Sequence, residues 1–134
     1  MRQDLSRYSP FGEWLGRSVV RADAERREVE VHYQAPAEAT NRIGTLAGGV
    51  LAAMLDSLTG LAALSALPDG VFAVHTALAI DYLRPAAAGV IRGFGRVLEL
   101  APPTVRCEGE LRDAEDRVVA RGRASLRIFP PRSG

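Results

Sequence analysis

A carboxylate and a pair of glycines, eight residues apart, have the types and spacing that suggest chemistry. Asp56 lies near the middle of an apolar segment, GGVLAAMLDSLTGLAALSAL, that begins at Gly48 and Gly49. An ionisable group in such surroundings must be paired, neutralised or used. Unpaired N–H groups at a helix start can stabilise a developing oxyanion. Asp56 is therefore interpreted either as a catalytic base or nucleophile, or as a structural group paired with an arginine or hydrogen-bonded near a subunit contact.

The apolar segment, residues 48–67, is predicted to be the central helix of the fold. At about 100° per residue it sorts into two stripes. The bulky stripe, expected to lie on a sheet, contains Val50, Leu51, Met54, Leu55, Leu58 and Leu61; the small stripe contains Gly49, Ala52, Ala53, Asp56, Thr59, Gly60 and Ala63. About 20 apolar residues could also span a bilayer. A central carboxylate would cost ~2.5–3.5 kcal/mol there, which favours a buried helix.

Alternating apolar and polar residues predict strands on both sides of this helix. The predicted strands are 17–23, 27–34, 71–84, 90–100, 104–113 and 117–129, with a short helix at 10–15 and a loop at 35–45. Segment 71–84 is mostly apolar, which predicts a central strand, and Gly93 and Gly95 are interpreted as a bulge. Cys107 alternates with apolar neighbours and is expected in the core. The pattern predicts an α+β fold, a curved antiparallel sheet wrapped around one long helix.

Composition limits the class of protein. The chain has 134 residues, 47% of them hydrophobic and 25% charged, which is typical of one globular domain. A net charge of +1 gives no general attraction for nucleic acid or for a membrane surface. Two histidines and one cysteine, scattered along the chain, do not suggest a metal site. With a single cysteine and no apolar leader-like stretch among the first residues, we expect a cytoplasmic protein.

Three motifs resemble those of the hotdog-fold acyl-CoA thioesterases, in particular the phenylacetic-acid-degradation branch of the 4-hydroxybenzoyl-CoA thioesterase superfamily. They are PFGEWLG near the start, NRIGTLAGG from Asn41 followed by Asp56, and LAIDYLRPA from Leu78. The resemblance covers most of the chain and implies a single hotdog domain over residues 1–134. It also implies an acyl-CoA thioesterase that works as a homodimer or homotetramer and needs no cofactor beyond the coenzyme A of its substrate.

The resemblance also implies roles for individual residues. Asp56 would activate a water molecule or attack the thioester carbonyl, and the Gly48 N–H would polarise that carbonyl. Asn41 would orient the thioester or the water, although an asparagine that supports the turn before Gly44 is an equal alternative. The site would lie at a dimer interface. The further residues expected to bind substrate are Gly49, Ala47, His75, Thr59 and Arg84, the last towards the phosphates of coenzyme A.

One departure from the family pattern concerns the residue before the glycine pair, where the family has histidine and this chain has Ala47. The backbone oxyanion contact survives this change, but a side chain that shapes the site does not. His75 is then either a replacement imidazole or a histidine on the sheet surface or at a subunit contact. Two alternatives to a thioesterase follow. One is a non-catalytic module that binds acyl thioesters or serves assembly, and the other is a hydratase or dehydratase that uses an Asp/His pair.

Overall fold

The structure is a computed structural model and describes residues 3–131. Its six strands form one antiparallel sheet in the order β1-β2-β4-β5-β6-β3. The elements are α1 (Pro10–Trp14), β1 (Ser18–Asp23), β2 (Glu28–Tyr33), α2 (Gly48–Ser65), β3 (Phe72–Tyr82), β4 (Ile91–Ala101), β5 (Thr104–Arg112) and β6 (Val118–Phe129), with a 3-10 turn at Ala37–Ala39. Helix α2 packs against β2 to β6, which confirms the predicted α+β architecture.

A row of glycines lets α2 approach the sheet closely. Gly95, Gly109 and Gly122 are paired side by side on β4, β5 and β6, directly beneath Leu58 and its neighbour Leu55. A Cβ atom on Gly109 would lie only 2.9 Å from Cδ2 of Leu58. The glycines therefore make room for the two leucines, which are fully buried.

The prediction that Gly93 and Gly95 mark a bulge was wrong. The register shift in β4 lies between Val97 and Glu99, and both glycines are in regular pairing with β2. A Cβ on Gly93 would come within 3.0 Å of Leu58 Cδ2, so close approach of the helix explains glycine at this position.

The bulky stripe of α2 forms the core. Leu51, Met54, Leu55, Leu58 and Leu61 are all buried against the sheet, as predicted. By length and composition alone α2 could also cross a membrane. Its apolar side is nevertheless occupied by the strands of its own chain, as expected for a core helix.

The two faces of the sheet differ as the alternation predicts. The inner face is apolar and includes Cys107, which is fully buried, and burial raises the pKa of its thiol to about 12. The outer face carries ion pairs. Arg121 contacts Glu110 at 3.1 Å, and Glu108 is paired with Arg96.

Strand β3 lies at the edge of the sheet and not at its centre, so that prediction was wrong. It pairs with β6 on one side, and within residues 3–131 no strand covers its other side. Val74 is half exposed, and Ala77 and Ala79 are also exposed. A strand with apolar residues on both faces usually has both faces covered. Val74, Ala77 and Ala79 thus form an exposed apolar stretch on an edge strand.

Candidate active site

Asp56 is on the exposed side of α2 and is paired with a histidine. Its Oδ1 lies 3.3 Å from Nδ1 of His75, while 56% of its side chain remains accessible. The arginine partner considered from the sequence is thus replaced by an imidazole. A carboxylate with one oxygen next to an imidazole and an open side towards solvent can act as a base or a nucleophile.

A bulge in β3 directs His75 at the helix. The register of β3 against β6 shifts between His75 and Ala77, so Thr76 is an extra residue on β3. Because side chains alternate along a regular strand, His75 and Leu78 would otherwise point to opposite faces. The extra residue brings both to the inner side, where Leu78 packs on the core and His75 reaches α2.

The second nitrogen of His75 contacts Thr59, one turn after Asp56 on the same helix. Thr59 Oγ1 lies 2.8 Å from Nε2 of His75 and 2.7 Å from the carbonyl oxygen of Leu55. Thr59 was expected to bind substrate. In the chain it is fully buried, so its hydroxyl faces the protein interior and not a channel.

The start of α2 presents the glycine pair. Ala47 is the N-cap and supplies no side-chain hydrogen bond, and the first N–H groups of an α-helix lack intrahelical acceptors. Gly49 is exposed, with no atom within 4 Å of the place a Cβ would take. The Tyr82 hydroxyl donates a 2.9 Å hydrogen bond to the Gly48 carbonyl, which ties the end of β3 to the helix start. The N–H groups of the pair are available to an anion or a carbonyl oxygen.

Gly48 and Asp56 of one chain are too far apart to act on the same carbonyl group. Eight residues of helix separate them, a rise of about 12 Å. The contacts with β3 show the same separation. Asp56 contacts His75 near the beginning of the strand, and Gly48 contacts Tyr82 at the end of the strand. A reacting carbonyl needs both groups at about 3 Å. The spacing that suggested a single site therefore does not bring the two groups together within one chain.

Asn41 organises the loop before the helix. Its Oδ1 accepts hydrogen bonds from the backbone N–H groups of Ile43 and Thr45, each at 3.1 Å, and its Nδ2 donates to Thr45 Oγ1 at 2.8 Å. These contacts correspond to the turn-supporting alternative, and Gly44 takes the left-handed conformation that this turn needs, with φ of 86°. The catalytic role of Asn41 remains a prediction.

Two further residues complete the placement. Arg84 is exposed just beyond β3, two residues after Tyr82, and so lies on the Gly48 side of the chain. Tyr82 itself was not singled out from the sequence, although it stands within the LAIDYLRPA motif. The signal that could have found it is the alternation of β3, which places Leu78, Ile80 and Tyr82 on the same face once the bulge is known.

A concavity of about 600 Å³ lies on the outer face of the sheet, away from these residues. It is lined by Phe94 and by charged side chains that include Arg96, Glu108 and Arg121. Asp56, His75 and Gly48 do not line it. Among residues 3–131, no group of three or more His, Cys, Asp and Glu residues is close enough to hold a metal ion.

Comparison with known proteins identifies the family of the chain. The sequence profile described as the Thioesterase superfamily matches residues 43–120, more than half of the chain. A candidate esterase of Halobacterium salinarum is 37% identical over 127 residues, covering 87% of this chain and 82% of that protein.

Solved structures show the same fold. A candidate thioesterase of Ralstonia eutropha, related to phenylacetic acid degradation, superposes with a TM-score of 0.86 at 30% identity, over 90% of this chain and 92% of that one. The PaaI protein of the Escherichia coli phenylacetic acid degradation operon superposes with a TM-score of 0.80 at 24% identity, over 90% of this chain and 84% of that one, which supports the fold alone. The chain belongs to the thioesterase superfamily, has the hotdog fold and is by class a thioester hydrolase.

Proposed function

We propose that the chain hydrolyses acyl-CoA thioesters at a site that two copies of the chain complete together. The observation that carries this proposal is the pair of half-sites: an exposed Asp56 held by His75, and about 12 Å away along α2 an uncapped helix start at Gly48. Thioester hydrolysis needs a base or nucleophile, which Asp56 of one copy supplies, and an oxyanion donor, which Gly48 of the second copy supplies.

The chemistry follows from the groups present. Asp56 either removes a proton from a water molecule that attacks the thioester carbon, or attacks that carbon itself and is then released by water. The Gly48 N–H of the other chain donates to the carbonyl oxygen as negative charge develops on it. The C–S bond breaks, the proton taken from water ends on the thiolate, and the products are a free acid and coenzyme A. The proposed reaction calls on no cofactor.

The edge strand β3 supports the pairing of two chains. A two-fold axis near the middle of β3, between His75 and Tyr82, would pair two copies of this strand in antiparallel fashion and continue the sheet. Because Asp56 lies at one end of the strand and Gly48 at the other, this axis would bring Asp56 of each chain towards Gly48 of its partner. It would also pair the backbone groups on the side of β3 that no strand within residues 3–131 covers.

Two observations support acyl-CoA as the substrate class. The solved Ralstonia structure is described as a candidate thioesterase related to phenylacetic acid degradation, and the chain shares its fold over nearly its whole length. Arg84 is exposed on the Gly48 side of the chain, where a guanidinium could meet the phosphates of coenzyme A. Ala47, in the place of the family's histidine, leaves this end of the site open for the substrate.

Thiol release from a panel of acyl-CoAs, short to long and aryl, tests the proposal. Asp56→Asn is compared with wild type and with Asp69→Asn, which makes the same change at an exposed turn after α2. We expect wild type and Asp69→Asn to hydrolyse the same thioesters and Asp56→Asn to lose at least ~100-fold. Three folded but inert proteins would contradict the proposal and favour the module that only binds acyl thioesters, which binding of an unhydrolysed acyl-CoA would then show.

The contact between Asp56 and His75 also favours a second candidate, hydration of an enoyl-CoA. A carboxylate and an imidazole in contact can remove a proton from water and return one to carbon. Incubation with an enoyl-CoA distinguishes the two reactions, because hydration removes the conjugated absorbance without releasing thiol.

A further inference from the structure

We infer that Thr59 fixes the protonation pattern of His75 and so makes His75 a positioning residue for Asp56. This inference rests on the proposed function for its catalytic consequence and on the geometry of three side chains for its structural content. Asp56, His75 and Thr59 form a chain of contacts that runs from solvent into the core, at 3.3 Å and 2.8 Å.

The direction of the Thr59 hydrogen bond can be derived from its surroundings. A hydroxyl has one hydrogen to donate. The Leu55 carbonyl oxygen lies 2.7 Å from Thr59 Oγ1, and the Asp56 carbonyl oxygen lies on the same side at 3.4 Å. Both can only accept, and two oxygen atoms 2.7 Å apart would repel each other without a hydrogen between them, so the hydrogen of Thr59 is directed into the helix. Towards His75 the hydroxyl then offers a lone pair, and Nε2 of the imidazole must be the donor.

The order of carboxylate, imidazole and hydroxyl has the form of a hydrolase triad. Burial excludes that function, because Thr59 is fully buried and its oxygen cannot meet a substrate carbonyl. The hydroxyl serves instead as a fixed acceptor. It holds the ring in one orientation, with Nε2 towards the helix and Nδ1 towards Asp56.

The consequence for Asp56 concerns its orientation. With Nε2–H held by Thr59, one further proton must lie between Nδ1 and Oδ1 of Asp56, because two lone pairs facing each other at 3.3 Å would repel. One carboxylate oxygen is thereby fixed and the other is turned to the open side, where 56% of the side chain is accessible. The bulge at Thr76 adds to this arrangement, since it brings His75 to the inner face of the sheet.

The first test determines which ring nitrogens of His75 carry protons. Long-range ¹H–¹⁵N spectra report which ring nitrogens carry protons, and the chain has only one other histidine, His32, so a His32→Gln variant assigns the signals. We expect His75 to be protonated at Nε2 in wild type and in Thr59→Ser, and this pattern to be lost in Thr59→Val. A wild-type His75 with a bare Nε2 and its only proton on Nδ1 would overturn the inference.

The second test measures kcat and KM of the Thr59 and His75 variants. A small displacement of a catalytic group costs up to ~100-fold, so we expect Thr59→Val to lower kcat by about 10- to 100-fold while KM changes little. Thr59→Ser keeps the acceptor and should remain close to wild type. Because Thr59 acts only through His75, His75→Gln should lower kcat similarly, and the double variant should lose no more than His75→Gln alone. Additive losses would overturn the inference.

The two tests separate this inference from the proposed function. If wild type hydrolyses no thioester, the proposed function fails and with it the catalytic role of His75, whereas the spectra still decide the arrangement of Thr59 and His75. If Thr59→Val does not fold, Thr59→Ser and His75→Gln carry the kinetic comparison. If Thr59→Ser then loses as much kcat as His75→Gln, the inference is contradicted.

Discussion

Replacing Gly48 with proline should remove the oxyanion donor and leave the helix intact. Gly48 is the first residue of α2, where the N–H has no intrahelical acceptor and proline is well tolerated. The residue before a proline must be extended, and Ala47 already has φ of −61° and ψ of 143°. A Cβ on Gly48 would lie 3.5 Å from the Tyr82 ring, an ordinary contact. The start of α2 therefore has the backbone conformation and the space for a Cβ that proline needs.

We expect Gly48→Pro to lower kcat by the contribution of one oxyanion donor. Removing such a donor costs about 10²–10³ in kcat, or about 2.7–4 kcal/mol of transition-state stabilisation. The assay is thiol release at saturating acyl-CoA, with Gly48→Ala as the matched control, since alanine adds the Cβ but keeps the N–H. Urea denaturation of all three proteins should give similar midpoints.

Two results would refute this reasoning. If Gly48→Pro keeps kcat within about threefold of wild type, the Gly48 N–H does not stabilise the transition state. If Gly48→Ala loses as much as Gly48→Pro, the loss comes from the added carbon and the role of the N–H is unsupported.

Two further predictions concern stability. Gly109→Ala should lower the free energy of unfolding by about 1–3 kcal/mol, because the added Cβ would lie 2.9 Å from Leu58 Cδ2. Urea denaturation measures this loss. A denaturation curve identical to that of wild type would contradict the prediction and show that the leucine moves away without cost. The backbone N–H of Arg117, assisted by its guanidinium, lowers the pKa of Asp113. A lowered pKa in the folded state contributes stability above the unfolded value, near 3.9, that is lost as pH falls through the folded pKa. Urea midpoints between pH 6 and 2 should fall less steeply for Asp113→Asn, and parallel curves would contradict this.

The sequence predicts the elements of the fold well, because their patterns are local. Alternation located β2, β5 and β6, a mostly apolar segment located β3, and the long apolar segment located α2 with its bulky stripe. The position of β3 could not be predicted in this way. Val74, Ala77 and Ala79 make the strand apolar on its outer side, and the same composition fits a central strand or an edge that another chain covers.

The candidate site was predicted in its residues but not in its geometry. Asp56 and Gly48 were identified by type and spacing, while their separation along the helix argues for two chains. The contact of His75 with Asp56 depends on the bulge at Thr76, and one extra residue reverses the face of every side chain that follows it. No alternation pattern reveals such an insertion before the register is known. Likewise the row of glycines under Leu58 is brought together only by strand pairing.

Mixing two inactive variants tests the shared site most directly. Asp56→Asn and Gly48→Pro chains are unfolded and refolded together, so that subunits assort at random. In a mixed dimer, one site combines the intact Asp56 of one chain with the intact Gly48 of the other, and the second site carries both substitutions. Half of the dimers are mixed and each has one intact site, so activity should recover to about a quarter of the wild-type value. No recovery above the two separate variants, in a mixture shown to contain mixed dimers, would contradict a site built from two chains.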